Sequence, residues 1–390
     1  KMHISHVLVL SVLHYSIKSC LGFTGSPILY QQQLSSRVFA NPVGFHFQEL
    51  GRQRRKADHY TNRRLGTTDL QLQLNYVEPV FRPPAEAESF ILQVTNGCSW
   101  NKCTFCEMYT SPQKRFRVKP LEDIEADLAL VGRLGVRVRR VFLADGDAMS
   151  LPVNRLRDIL ILIRRHLPGV QRVSSYCLPR NIRDKSEDQL RELRDLGLGL
   201  LYVGCESGDD AVLRRVNKGE TAASSLAALL KMRAAGIKSS VMILNGLGGP
   251  DLLEQHARNS ARLMNEAQPD YLSTLVVTFP LGRDRFESTS PGFRELSQRE
   301  LFQEMELLLQ ELRLEKTIFR SDHASNYLAL KGVLNKDRAR LIDEVRDALA
   351  LHALRGGVRV YCCGSGRYKD EVLHGTLRRA AGHDGRCIIR

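Results

Sequence analysis

Long apolar runs are missing from this chain. The apolar stretch His6–Leu13 spans eight residues, well short of the roughly 20 that a helix needs to cross a bilayer, so no stable membrane span is expected. Acidic residues are missing from the beginning, where none precedes Glu49. With Lys18, Arg37 and several serines, this segment reads as a signal or organelle transit sequence, plastid or mitochondrial, with a cytoplasmic location as the alternative. The first residue is Lys1 rather than Met, which leaves room for residues before it. A secreted disulfide framework is missing too: nine cysteines in 390 residues, clustered rather than spread, favour a compartment that keeps thiols reduced.

A basic body is also absent, although the formal net charge is +14. Residues 1–75 contribute +6 and residues 351–390 contribute +5, leaving +3 for everything between. The surplus sits at the ends, so the core carries no strong nucleic-acid signal.

What the middle of the chain does have is Cys98, Cys103 and Cys106, three thiols within nine residues directly after an apolar run. No Cys or His follows Cys106 until His166, so a fourth ligand for a mononuclear zinc is not at hand. Three thiolates without a fourth suit an iron–sulfur cubane that keeps one iron open. Zinc with a distant ligand, or three buried small hydrophobes, are the other readings; the tight spacing favours the cluster.

Around this loop, short β-rich runs alternate with helix-length segments. Strands are expected at Phe90–Thr95, Arg139–Ala144, Val170–Cys177, Leu200–Cys205, Lys238–Leu244 and Tyr271–Thr278. Pro120–Leu134 and Val153–His166 have helical spacing, the first with apolar residues at Leu121, Ile124, Leu128 and Val131. Six βα units imply an α/β fold with a parallel sheet covered by helices. Periodicity alone does not separate an open doubly wound sheet from a partial barrel. Either way chemistry belongs at the C-terminal strand ends, where the cysteine loop lies. Beyond the sixth strand, amphipathic helices Ser297–Leu314 and Lys336–Leu351 flank a polar segment, Phe319–Tyr327. The expected organisation is a targeting or disordered extension over 1–75, a core over 80–285, a helical extension over 286–354 and a disordered tail over 355–390. An ordered N-terminal extension covering the core is the alternative for the first of these.

The cysteine loop, the Leu143-Ala-Asp-Gly-Asp147 strand end and the His323-Ala-Ser-Asn-Tyr-Leu328 segment resemble the radical S-adenosylmethionine superfamily over residues 80 to 350. The similarity is to the branch with the methylthiotransferases and nitrogenase-cofactor radical enzymes, and within it to small bacterial-type members. Four residues separate the first two cysteines here, as in that subgroup, whereas the commonest superfamily loop has three. The resemblance implies a partial (β/α)6 TIM-like barrel and a [4Fe–4S] cluster on Cys98, Cys103 and Cys106. It also implies S-adenosylmethionine on the open iron, cleaved by one electron to methionine and a 5′-deoxyadenosyl radical, with a ferredoxin or flavodoxin as electron donor. It places Phe105 beside the adenine, Asp145, Gly146 and Asp147 near the methionyl amine without choosing between the carboxylates, Glu206 at the ribose and Gly246 in the turn near the adenine. Ordinary packing, turn or capping roles are the alternatives for each.

His323, Ser325 and Asn326 are candidate substrate contacts, with turn chemistry as the alternative. Ser175 and Arg180 are weighed for the methionyl carboxylate and Cys177 for hydrogen-atom donation, but an exposed loop and barrel packing explain them more simply. A methylthiotransferase-like RNA modifier is expected to carry an N-terminal cysteine domain, and residues 1–75 contain only Cys20. The non-enzyme alternative is an iron–sulfur or metal-binding scaffold or carrier, which has no need of the acidic and glycine-bearing strand ends.

Overall fold

Among the described residues, strand formation begins at the apolar run from Phe90. The computed structural model describes residues 74–279 and 283–355, so the expected leader and tail lie outside the described residues, apart from their inner margins. The described chain divides into two compact units. The first comprises residues up to Glu206, Asp210–Met242 and Thr278–Gly292; the second comprises Ser207–Asp209, Ile243–Val277 and the residues from Phe293 onward.

In the first unit, β1 (Phe90–Gln93), β4 (Arg140–Ala144), β5 (Arg172–Cys177) and β6 (Leu198–Glu206) lie side by side in that order, each pair parallel. Their register sets Phe90 opposite Val141, Phe142 opposite Ser174 and Tyr176 opposite Tyr202. Val141, Phe142, Leu143 and Ala144 are all buried, as expected of a parallel strand enclosed on both faces. Phe142, Tyr176 and Tyr202 meet edge to face, with centroids 5.1 to 6.4 Å apart. The intervening helices bury one stripe. On Val153–His166 the buried residues Leu156, Ile159, Leu160 and Ile163 fall at helical spacing, each contributing about 1.5–3 kcal/mol.

A break at Val94 starts a separate two-residue strand, β2 (Thr95–Asn96), antiparallel to β3 (Arg117–Val118). This small hairpin, which sequence patterning did not reveal, closes the base of the cysteine loop.

Strand β7 (Lys238–Asn245) runs through Met242 in the first unit and from Ile243 in the second. The second unit holds β8 (Tyr271–Val276), parallel to β9 (Ile318–Ser321), which is antiparallel to β10 (Leu330–Val333). Its helices are Gly249–Ala267, Gln298–Glu311 and Leu334–Arg355, the second opened by a reciprocal Ser297–Glu300 cap. The region expected to be a helical extension therefore also supplies two strands. At four residues each they are too short for alternation to stand out, and Gly332 weakens the β signal of the second.

The architecture is an α/β fold with a mostly parallel sheet and intervening helices. Among the described residues, no helix is long and apolar enough to cross a membrane.

Candidate cofactor site

The loop between β2 and β3 owes its shape to backbone hydrogen bonds. Asn96 Nδ2 donates to the Gln113 and Arg115 carbonyls at 2.6 and 3.0 Å. Gly97 has φ +72°, and a Cβ there would fall 2.0 Å from the Lys114 carbonyl oxygen, so glycine is required. Arg285 spans the loop's far side: Nη1 donates to the Cys106 carbonyl at 2.6 Å and Nη2 to the Asn101 carbonyl at 2.7 Å. Thr104 N–H donates to the Val216 carbonyl at 3.0 Å, and Trp100 Nε1–H to the Asn217 carbonyl at 2.9 Å.

These bonds hold Cys98, Cys103 and Cys106 in one neighbourhood. All three are free thiols, Cys103 buried and the other two half-buried. Burial is the chief influence on each and raises its pKa, Cys103 to about 11, and neighbouring thiols add to the rise at Cys98 and Cys103. Iron binding at these groups therefore releases protons. Among the described residues no three His, Cys, Asp or Glu side chains are arranged to hold a single metal ion. A cubane asks for something different, because each thiolate caps a different iron and the sulfurs stand farther apart than around one ion. Three thiols of one loop match in number and kind the donors of a cubane that keeps one iron open.

The two aspartates after β4 are chemically unequal. Asp145 is fully buried and paired with Lys114, equally buried, which also donates to the Val77 carbonyl at 2.7 Å. Gly146 N–H donates to Tyr109 Oη at 2.9 Å, and a Cβ on Gly146 would meet the Gly97 carbonyl at 2.5 Å; this glycine permits close packing against the loop. Asp147 is different. Its Oδ2 accepts from Ser99 Oγ–H, but Oδ1 is buried with no partner. Burial, outweighing the Ser99 hydrogen bonds, raises its pKa to about 6.

Glu206 ends β6 with φ +64°, a conformation costing about 1–3 kcal/mol in a residue of this kind. Its Oε1 accepts from Lys218 Nζ at 2.9 Å, both side chains nearly buried. Lys218 Nζ also stands 6.0 Å from the Phe105 ring centroid. Arg180 lies 4.0 Å over the Trp100 ring and its Nε donates to Glu220 at 2.7 Å. Cys177 is buried and its thiol donates to the Leu178 carbonyl at 3.3 Å; Ser175 Oγ–H donates to the Leu143 carbonyl at 3.2 Å.

The remaining expected residues belong to the second unit. Gly246 N–H donates to Glu304 Oε1 at 2.8 Å, and its carbonyl accepts from Gly249 N–H at 3.1 Å. Burial raises the Glu304 pKa to about 8. Asn326 commits its whole amide to the fold, donating to the Thr274 carbonyl and Ser321 Oγ and accepting from Val276 N–H at 2.9 Å. His323 Nδ1 accepts from Ser325 N–H at 3.1 Å within its own turn. Thus the thiols, Phe105, the Asp145–Asp147 segment and Glu206 fall in one unit, and Gly246, His323 and Asn326 in the other. Sequence reasoning missed Lys114, Lys218 and Arg285. Lys218 lies twelve positions after a strand-end glutamate, but Arg214 and Arg215 beside it left nothing to single it out.

Comparison with known proteins agrees with this chemistry. Residues 92–264 match the model of the radical SAM superfamily. A tRNA-2-methylthio-N(6)-dimethylallyladenosine synthase from Aromatoleum aromaticum is 26% identical over 322 residues, covering 79% of this chain and 68% of that protein. One from Alkalilimnicola ehrlichii is 28% identical over 188 residues, covering 47% of this chain and 41% of that protein, so the chain spans well under half of this second relative. Among solved structures, coproporphyrinogen III oxidase from Escherichia coli aligns with a TM-score of 0.46 at 18% identity, covering 63% of this chain and 55% of that one. The three-cysteine loop lies inside the region that matches the radical SAM superfamily model, and the comparisons support a radical S-adenosylmethionine superfamily member.

Proposed function

We propose that this chain is a radical enzyme that cleaves S-adenosylmethionine reductively, with Cys98, Cys103 and Cys106 holding a [4Fe–4S] cluster. The observation that carries the reading is the company the thiols keep: an unpartnered buried oxygen on Asp147 and a buried Glu206–Lys218 pair in the same unit. A cluster carrier needs neither. When bound, the cluster and S-adenosylmethionine supply one-electron chemistry that begins hydrogen abstraction from substrate.

The chain's own residues bind and orient. Asp147 Oδ1 accepts from the cofactor's ammonium, a charge-assisted bond that relieves its isolation. Asp145, already neutralised by Lys114, holds the strand end. Glu206 receives the ribose hydroxyls on its second carboxylate oxygen, and Phe105 packs against the adenine. Gly246 has both backbone polar atoms engaged and retains apolar contact as its means of touching a ligand. His323 remains the candidate substrate contact. A ferredoxin or flavodoxin supplies the electron, and the acid-poor leader suits a plastid or mitochondrial setting, testable with a fluorescent-reporter fusion in which a diffuse cytosolic signal counts against the idea.

The deciding experiment is anaerobic reconstitution, with iron and sulfide counting and chromatography for 5′-deoxyadenosine after dithionite and S-adenosylmethionine are added. Equal iron and sulfide together with 5′-deoxyadenosine are expected. Stoichiometric zinc without iron would sink the reading, and a stable cluster that never cleaves the cofactor would leave a carrier.

Asp147 also predicts a pH dependence. Burial raises its folded-state pKa from 3.8 to about 6, so the fold itself prefers the neutral carboxyl. That contribution is complete below about pH 3.8 and is lost as pH rises through about 6. A bound ammonium has the opposite preference. Affinity for S-adenosylmethionine, measured by equilibrium dialysis on the reconstituted protein, is therefore expected to fall as pH drops below about 6. Asp147→Asn should weaken binding about 10- to 100-fold at neutral pH and flatten this dependence. An unchanged profile would remove Asp147 from the ammonium site.

A further inference from the structure

Trp100 is the one tryptophan of the chain, and it stands half-buried on the loop between Cys98 and Cys103 rather than in the core. Its Nε1–H donates to the Asn217 carbonyl at 2.9 Å, the Arg180 guanidinium stacks 4.0 Å from the ring centroid, and Lys102 Nζ stands 5.1 Å from it. Asn217 is exposed, and its N–H returns to the carbonyl of Arg214, an exposed residue of the helix Asp210–Arg215. Lys102 is exposed too, and neither it nor Arg214 has a carboxylate partner among the described residues. Arg180 pairs with Glu220, but the carboxylate is enclosed at 4% exposure and the guanidinium is not, at 24%. The result is a positive patch around an aromatic ring on the outside of the cysteine loop, all of it within the first unit.

Resting on the cluster reading above, we infer that this patch is where the electron donor docks, and that the donor is a small acidic protein carrying a low-potential iron–sulfur or flavin centre. One electron passes from the reduced donor to the oxidised cluster; the donor is oxidised, the cluster reduced, and no proton moves. The contact has to lie close to the cluster, and between Cys98 and Cys103 the loop meets solvent at Ser99 and Lys102. Unlike charges steer the encounter, and tryptophan and arginine are side chains that protein contacts favour. RNA fits the patch less well. Residues 76–350 carry a surplus of only +3, too little to neutralise a run of phosphates, whereas transient redox contacts bury under about 1,200 Å² and need only a local patch.

The test is stopped-flow reduction of the full chain, reconstituted anaerobically, by a reduced acidic [2Fe–2S] ferredoxin, comparing wild type with Lys102→Glu, Arg214→Glu and Arg133→Glu. Arg133 is the control: it is exposed at the end of helix Leu121–Arg133 that leads into the start of β4, away from the strand ends that carry the loop. Each reversal in the patch is expected to slow the second-order rate about 3- to 10-fold at low ionic strength, and to return toward wild type in about 1 M salt, where the screening length is about 3 Å. Arg133→Glu should match wild type throughout. Iron content and the EPR signal in excess dithionite check that each variant carries a reducible cluster; if Lys102→Glu loses its iron, Arg214→Glu, outside the loop, decides alone. Equal rates in all four proteins, or an equal loss in Arg133→Glu, overturn this inference and leave the proposed function standing. So does a single-stranded RNA oligonucleotide that shifts the Trp100 fluorescence where the ferredoxin does not. A wild-type protein that binds no iron overturns it together with the proposed function.

Discussion

Cys103→Ala is expected to abolish both iron retention and 5′-deoxyadenosine formation. Cys103 is the one buried thiol of the three, the other two being half-buried. Removing it leaves two protein ligands for a cubane that three already hold with one iron open. The loss should exceed the roughly 10- to 100-fold that substitutions outside the ligand shell typically cost. Alanine is the right replacement because a serine oxygen can still ligate. The fold should survive, since the loop is shaped by the β2–β3 pairing and the Arg285 bridge rather than by the thiol. Iron content after reconstitution and circular dichroism check the two halves of this prediction. Cys177→Ala is the control: that thiol is buried and engaged with the Leu178 carbonyl, and its loss should leave iron content unchanged. Equal iron loss in both variants would mean that thiol deletion destabilises the unit generally.

Lys114→Met is expected to lower folding stability by about 3–5 kcal/mol, because it leaves the Asp145 carboxylate buried without its cation. Three bonds go at once: to Asp145, to the Val77 carbonyl and to Asn96 Oδ1 at 3.3 Å. The first of these matters most, since a charge cannot be left unpaired where both side chains are fully enclosed. Denaturant titration of the full chain reads the loss as a lower midpoint. Adding Asp145→Asn to Lys114→Met should recover part of it, because the stranded charge is removed. If the double variant is no more stable than the single one, the cost lies in the lost packing of the lysine stem rather than in the charge.

Those residues also mark the limit of what can be read from sequence. The three thiols stood out because their spacing is local, and the six principal strands because β-rich runs alternate with helical ones. Helix Leu121–Arg133 fell within one residue of its expected span for the same reason. Lys114 was invisible because its partner is 31 residues away, and Arg285 because the loop it bridges lies 179 and 184 residues earlier. Neither has a local pattern; each is one arginine or lysine among 57. The choice between Asp145 and Asp147 could not be made from letters, since burial and one lysine create the difference. Asn326 looked like a donor and acceptor for a ligand because its sequence neighbourhood is polar. Its amide instead ties Val276, Thr274 and Ser321 together, contacts fixed only when the strands are assembled.

The interleaving of the two units has a consequence for inheritance and engineering. Ser207–Asp209, then Ile243–Val277, then the stretch from Phe293 belong to one unit, while the segments between them return to the other. Consequently no single cut yields an intact half, and no single exon-like deletion removes one unit while sparing its neighbour. Within the described residues, neither unit is one contiguous segment that can be exchanged whole, so re-engineering either of them proceeds by substitution within loops and strand ends.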